Sequence, residues 1–203
     1  GTDHGYVPVW LMQRGRIAAA IASDIGAEPL RHAKETAAEY KVSGIDFRLC
    51  AGLDAIDPEE VETILIAGMG GETIQTILSD APWTADGGYL LLLQPMTKVE
   101  LLRKWLSDNQ YHFTEERLVC DKNHLYPVFA VRGGAGTPIT LVQQYGGVML
   151  DGDPLYAAYL EERIAKLYKV MAGLEKSFDP ENAVKIKSLM DICRLLEEKR
   201  GTL

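Results

Sequence analysis

Apolar runs of strand length recur along this chain, three of the four followed by a segment of helical period, and that alternation restricts the fold more than any other feature. Residues 17–24 (IAAAIASD), 45–50 (IDFRLC), 61–68 (VETILIAG) and 89–94 (YLLLLQ) read as strands, and residues 28–40, 72–80 and 98–109 read as helices. Strands that are apolar almost throughout must be covered on both faces, which predicts an α/β fold with a parallel sheet between helices. After residue 110 the pattern changes. Residues 111–121 and 124–132 form two strand-like runs separated only by Lys122 and Asn123, the signature of an antiparallel hairpin closing the sheet.

Gly133, Gly134, Gly136 and Pro138 interrupt the pattern, and beyond Asp151 the sequence is purely helical. Leu155, Tyr159, Ile164, Leu167, Met171 and Leu174 make one apolar stripe, and Ala183, Ile186, Leu189, Met190, Cys193 and Leu196 make a second. Asp179 followed by Pro180 suits the start of the second helix. The spacing predicts two domains, residues 1–150 and a helical hairpin over 151–203 with an antiparallel coiled-coil seam.

The formal net charge is -8, so no global positive field draws this chain to nucleic acid, and any contact with RNA must use a local patch. Most of the excess acid lies before residue 151. Cys50, Cys120 and Cys193 are odd in number, widely spaced and set in apolar surroundings, which argues against a disulfide framework and against a metal site. A reducing, cytoplasmic setting fits that usage. No apolar run approaches the roughly 18 to 20 residues of a membrane span, and the first residues lack the pattern of a secretory leader.

In open parallel sheets ligands bind past the carboxyl ends of the strands, so the residues there are the candidates. Gly1, Thr2, Asp3, His4, Gly5 and Tyr6 form a glycine-bracketed turn before a helix, where small residues let backbone approach a ligand. Asp24 ends the strand that follows, spaced as a carboxylate that accepts hydrogen bonds from ribose hydroxyls. The turn reads GxxxG, with Asp3 and His4 where a pyrophosphate would need bare backbone, which favours a phosphate-free nucleoside such as S-adenosylmethionine over a nicotinamide cofactor. Ala67, Gly68, Met69, Gly70 and Gly71 at the third strand end are read as clearing space for a planar ligand, and Gln94, Pro95 and Met96 at the fourth as presenting a fixed amide to a base edge.

These segments, GTDHGYVP, ASDIGAEPL, AGMGG and LQPM in that order and spacing, resemble the bacterial tRNA (adenine(22)-N1)-methyltransferase family (TrmK-like), as do RLCAGL at residues 48–53 and YGGVMLDGDPLYAAYLEE leading into the hairpin. The resemblance covers practically the whole chain. It implies a Rossmann-like class I methyltransferase domain, S-adenosyl-L-methionine as methyl donor, tRNA as substrate and N1 of an adenosine as acceptor. Cofactor contacts are then expected from Gly1, Thr2, Asp3, Gly5, Asp24, Gly52, Leu53, Ala67, Gly68 and Met69, and contacts to the target base from His4, Tyr6 and Gln94. Cys50 and Ala51 stand where the family usually carries Gly-Asp, so recognition of the cofactor's adenine falls to backbone or to Asp54. Relatives also carry a helix and a strand before the glycine turn. The chain is therefore expected to be a fragment lacking the central strand, between those ending at Asp24 and at Ala67.

Arg14, Arg16, Lys98, Arg103 and Lys104, with Lys166, Lys169, Lys185 and Lys187 on the hairpin, are the candidate cations for gripping RNA. The protein is expected to act as a monomer, without metal or membrane. A Rossmann-like oxidoreductase and a non-catalytic RNA- or protein-binding fragment are the competing readings.

Overall fold

The computed structural model describes residues 1–176 and 179–203. Seven α-helices and six strands follow in the order α1 (Tyr6–Gln13), β1 (Ala20–Asp24), α2 (Ala27–Glu39), β2 (Ile45–Leu49), β3 (Thr63–Gly70), α3 (Gly71–Asp80), β4 (Leu90–Thr97), α4 (Val99–Asp108), β5 (Tyr111–Asp121), β6 (His124–Gly133), α5 (Leu141–Gly146), α6 (Tyr156–Leu174) and α7 (Glu181–Arg200). Two compact units result, residues 1–61 with 76–83 and residues 62–75 with 84–203. They are cut differently from the change of composition at residue 150, because the hairpin packs with the strands that precede it.

In the first unit β1 pairs in parallel with β2, from Ala20 opposite Ile45 to Asp24 opposite Leu49. Val9, Ala22, Leu30, Ala33 and Ala37 are buried there. Alanines dominate because the elements approach closely. A Cβ on Gly5 would lie 2.9 Å from the Ala33 Cβ, and Gly5 has φ +67°, so α1 can start against α2 only through glycine.

The second unit holds a four-stranded mixed sheet in the order β3-β4-β6-β5, with β3 parallel to β4 and β6 antiparallel to both neighbours. Among the described residues β1 is bonded to β2 alone and β3 to β4 alone. Lys122 and Asn123 join β5 to β6 with φ of 47° and 65°, the paired left-handed residues of a tight hairpin turn. The strands β3 and β4 run past Gly68 and Gln94, where the sequence suggests turns, because a bulge shifts their register between Ala67 and Gly70. By contrast, residues 17–19 precede β1 and do not belong to it.

Helices α6 and α7 form the expected antiparallel pair. The Asn182 side chain donates to the Leu174 carbonyl at 3.1 Å near the connection, and Arg200 reaches Glu161 at 3.3 Å near the far end. Asp179 accepts the Glu181 amide at 2.9 Å, the capping role expected of it, while residues 177 and 178 of the connection lie outside the described residues. The hairpin seam buries Tyr159, Leu160, Ile164, Leu167, Met171, Ile192, Cys193 and Leu196 in one cluster with Leu118 of β5 and Leu150. Asp153 holds the start of α6 by accepting from Leu155 and ties it to β5 by accepting from the Leu118 amide at 3.1 Å.

One expected surface cation is buried, and one helix goes unannounced by the sequence pattern. Arg103, a candidate cation for an exposed rim, is instead 0% exposed and ion-paired with Glu116. It lies on the stripe Val99, Leu102, Arg103, Leu106 that α4 turns inward. Helix α5 occupies a stretch to which the sequence pattern assigns no element, and Thr140 and Gln143 form a capping box at its start.

Candidate functional site

The first unit assembles its candidates around Asp24. Thr2 donates its amide to the Ser23 carbonyl at 2.9 Å and accepts the Gly5 amide at 2.9 Å, so the glycine turn is folded onto the end of β1. The Asp24 carboxylate holds both sides of that junction: Oδ1 accepts the Gly26 amide at 2.9 Å and Oδ2 the Asp3 amide at 3.2 Å. Burial alone would raise its pKa, yet the amides of Gly26 and Asp3, the charged Gly1 amino group and the Thr2 amide together outweigh that effect and hold it below the ordinary carboxylate value. The group is therefore a fixed anion. A carboxylate offers about four lone-pair positions, so these amides leave capacity for a ligand's hydroxyl.

The other residues of this unit sit close by. Cys50 donates its amide to the Asp24 carbonyl at 3.0 Å, and Ser23 Oγ donates to the Gly52 carbonyl at 3.3 Å. Residues 51–54 form a turn closed by the Asp54 amide on the Ala51 carbonyl, with Leu53 half-buried and Asp54 exposed. His4 is stacked between Tyr6, at 5.4 Å, and His32, at 4.9 Å. His32 is absent from the candidates named from sequence. Its signal is the α2 register, which puts it one residue before Ala33, the contact point of Gly5. Tyr6 is 61% exposed at the end of this three-ring stack.

The second unit brings together Ala67, Gly68, Met69, Gln94 and Met96. Gly68 has φ +77°, and a Cβ placed on it would meet nothing within 4 Å, so glycine is required there by conformation and leaves open space. Its neighbours do not. A Cβ on Gly71 would lie 2.5 Å from the Lys98 carbonyl oxygen, and one on Gly70 3.1 Å from Thr97 Oγ1. The reading of all the glycines as ligand clearance is thus corrected to Gly68 alone. Gln94 Oε1 accepts the Gly68 amide at 2.9 Å, and its NH2 group donates to the Pro95 carbonyl at 3.2 Å and to Met96 Sδ at 3.4 Å. Gln94 therefore pins the bulge and keeps one oxygen lone pair for another donor.

The cations divide clearly. Lys104, Lys166 and Lys185 pair with acids one turn away, Asp108, Glu162 and Glu181. Among the described residues Arg14, Arg16, Lys98, Lys169 and Lys187 have no ion pair, and the Arg14 guanidinium lies over the Trp10 ring at 5.5 Å. No group of His, Cys, Asp and Glu among the described residues is arranged to hold a metal ion, and none of their helices is long and apolar enough to cross a membrane.

The fold has known counterparts. The tRNA (adenine(22)-N(1))-methyltransferase of Bacillus subtilis is 28% identical over 212 residues, covering 98% of this chain and 87% of that protein. The crystal structure of the B. subtilis m1A22 tRNA methyltransferase TrmK superposes with a TM-score of 0.83 at 25% identity, over 98% of this chain and 88% of its own. The Streptococcus pneumoniae protein Sp1610, solved in complex with S-adenosyl-L-methionine, superposes with a TM-score of 0.82 at 26% identity, over 98% of this chain and 88% of its own. Residues 1–129 match the family described as the methyltransferase domain. With a glycine turn folded onto a fixed strand-end carboxylate, a mixed sheet closed by an antiparallel hairpin and that match over most of its length, the chain belongs to the methyltransferase-domain family.

Proposed function

We propose that this protein transfers a methyl group from S-adenosyl-L-methionine to N1 of an adenosine in tRNA, at position 22. Many methyltransferases share the domain of residues 1–129. The observation that carries the narrower reading is that similarity to the B. subtilis enzyme continues through the hairpin, to 98% of this chain.

The residues present suit the donor. An anionic carboxylate at Asp24 with acceptor capacity left over suits a ribose hydroxyl, and the exposed backbone at Gly68 suits a flat group. In this reading Gly1, Thr2, Asp3, Gly5, Asp24, Gly52, Leu53, Ala67, Gly68 and Met69 contact the cofactor. No acid stands at Cys50 or Ala51, so the turn of residues 51–54 meets the adenine through backbone. When bound, the sulfonium supplies an electrophilic methyl carbon.

Adenine N1 attacks with an in-plane lone pair. The new N–C bond forms as the C–S bond breaks with its electrons going to sulfur, and the product base is cationic. No strong base is needed, so these side chains act by alignment. Because N1 is buried in paired RNA, the nucleotide must be extruded and stacked. In the first unit Tyr6, extended by His4 and His32, is the proposed stacking surface, and in the second Gln94 is the proposed polar contact beside the apolar Met69 and Met96. Asp3 lies beside His4 and would stabilise the positive charge that develops. Arg14, Arg16, Lys98, Lys169 and Lys187 are the proposed phosphate contacts.

The reading further includes a functional division into residues 1–150 and 151–203, a coiled-coil seam between α6 and α7, and a cytoplasmic monomer. Transfer of tritiated methyl groups into unmodified tRNA, followed by mapping of the modified base, tests it. Label confined to N1 of adenosine 22 is expected, and labelling of protein or of no RNA refutes it. Thermal stabilisation by S-adenosylmethionine but not by NADH separates it from an oxidoreductase.

A further inference from the structure

Arg103 and Glu116 are both fully buried, which is an expensive place for two charges. Every polar atom of the pair is used. Glu116 Oε1 accepts from Arg103 Nε at 3.1 Å and Nη2 at 2.7 Å, while Oε2 accepts the amides of Val148 at 2.6 Å and Met149 at 3.1 Å. Arg103 Nη1 donates to the Gln144 carbonyl and Nη2 to the Tyr159 hydroxyl, both at 3.1 Å. The guanidinium also lies over the rings of Phe129 and Tyr159, at 5.2 and 5.8 Å. One ion pair thus joins α4, β5, β6, α5 and α6.

A second pair repeats the connection. Arg163 Nη2 donates to Glu100 Oε2 at 2.6 Å, with the two side chains 11% and 19% exposed. From Glu100 to Arg103 is one turn forward on α4, and from Arg163 to Tyr159 is one turn back on α6. Two such points fix α6 both in rotation and along its axis, which apolar packing alone would leave free to slide. Stability gains less from the second pair, because among the described residues Arg163 Nε is buried with no hydrogen-bond partner, a cost that offsets part of the bond gained.

Resting on the function proposed above, we infer that the hairpin is a rigid arm whose attachment to α4 selects the adenosine that is methylated, with Glu100, Arg103, Glu116 and Arg163 as positioning residues. Helix α4 begins directly after the β4 end that carries Gln94 and Met96. Lys169, without an ion pair, lies ten residues beyond Tyr159, roughly 15 Å along α6 at 1.5 Å per residue. A fixed α6 therefore sets one distance between that phosphate contact and the Gln94 end of β4. A loose arm would hold RNA equally well and choose poorly.

The test uses the full chain with the variants Glu100→Gln, Arg163→Met and their combination. Each is expected to bind S-adenosylmethionine within twofold of wild type. The combined variant should melt near it and each single variant lower, because one charge is stranded. KM for tRNA should rise about tenfold at little changed kcat, and methylation should spread to further adenosines. Arg163→Lys should recover most of the KM and the single site. Unchanged tRNA KM and a single methylated adenosine in the combined variant overturn the inference, as does a loss of cofactor affinity that accounts for the whole defect. A wild-type chain that binds the cofactor but methylates no tRNA fails the function proposed above, an outcome read before any variant. Arg103→Met with Glu116→Gln is the harsher variant, and its failure to fold leaves the first set to decide.

Discussion

At Asp24 one carboxylate both ties the glycine turn to β1 and offers its remaining lone pairs to a ligand, so substitution there should be felt in two measurements. Asp24→Asn replaces one acceptor by a donor facing a backbone amide. Calorimetry should show cofactor affinity weaker by about 2 kcal/mol, and denaturant unfolding a loss of roughly 1 to 3 kcal/mol. The folded-state pKa of Asp24 lies below its unfolded value, so its stabilisation is complete above about pH 4 and is lost as pH falls through the lowered value. The acid limb of the stability profile should flatten in the variant. Asp24 is legible from spacing alone, since it ends an apolar run at the right interval from a glycine turn. Arg103 is not, because its charge masks its place on the Val99, Leu102, Leu106 stripe, and only burial shows its partner.

The end of β3 separates two uses of glycine. Gly68→Ala meets open space and strains only the left-handed backbone, costing about 1 kcal/mol. Gly71→Ala drives a Cβ into the Lys98 carbonyl and should cost more, roughly 2 to 4 kcal/mol, as overpacked sites do. Thermal denaturation of the two variants should rank them in that order, and Gly68→Ala should lose cofactor binding out of proportion to stability. Lys98 itself has φ +54° at the start of α4. Lys98→Gly should raise the melting temperature while raising KM for tRNA, a pairing that a purely structural lysine would not give. At this scale the strands and long helices are readable because their periods are sustained over many residues. The six residues of α5 are too few for periodicity, and the β3 bulge depends on Gln94, 26 residues away in sequence.

For the whole molecule, a chain of net charge -8 must hold RNA through cations that no acid of its own already pairs. Each phosphate contact contributes about 0.9 to the slope of log affinity against log salt. Lys169→Gln with Lys187→Gln should therefore lower that slope by nearly 2, whereas Lys166→Gln with Lys185→Gln, which removes cations already paired to acids, should change it little. Filter binding across a salt series distinguishes them. Composition places the acidity correctly but does not tell a paired lysine from a free one, because that depends on which acid lies one helical turn away and which way each side chain leans.

Strands β5 and β6 meet through two residues already shaped for a tight turn, so their pairing closes the shortest loop of the four-stranded sheet and loses the least chain entropy. A hairpin of this kind zips in about 1 to 10 μs. Strand β4 must instead find β6 across the whole of α4 and β5, and β3 must find β4 across α3. By loop length β3 (Thr63 to Ala67 opposite Leu90 to Gln94) closes on β4 before β4 (Leu91 to Leu93 opposite Val131 to Phe129) closes on β6. Edge position acts separately: among the described residues β3 is bonded to β4 alone, whereas β6 is bonded on both sides. Amides of β3 should therefore exchange with solvent before those of β6, which places the more easily loosened backbone of this sheet at the proposed cofactor contacts.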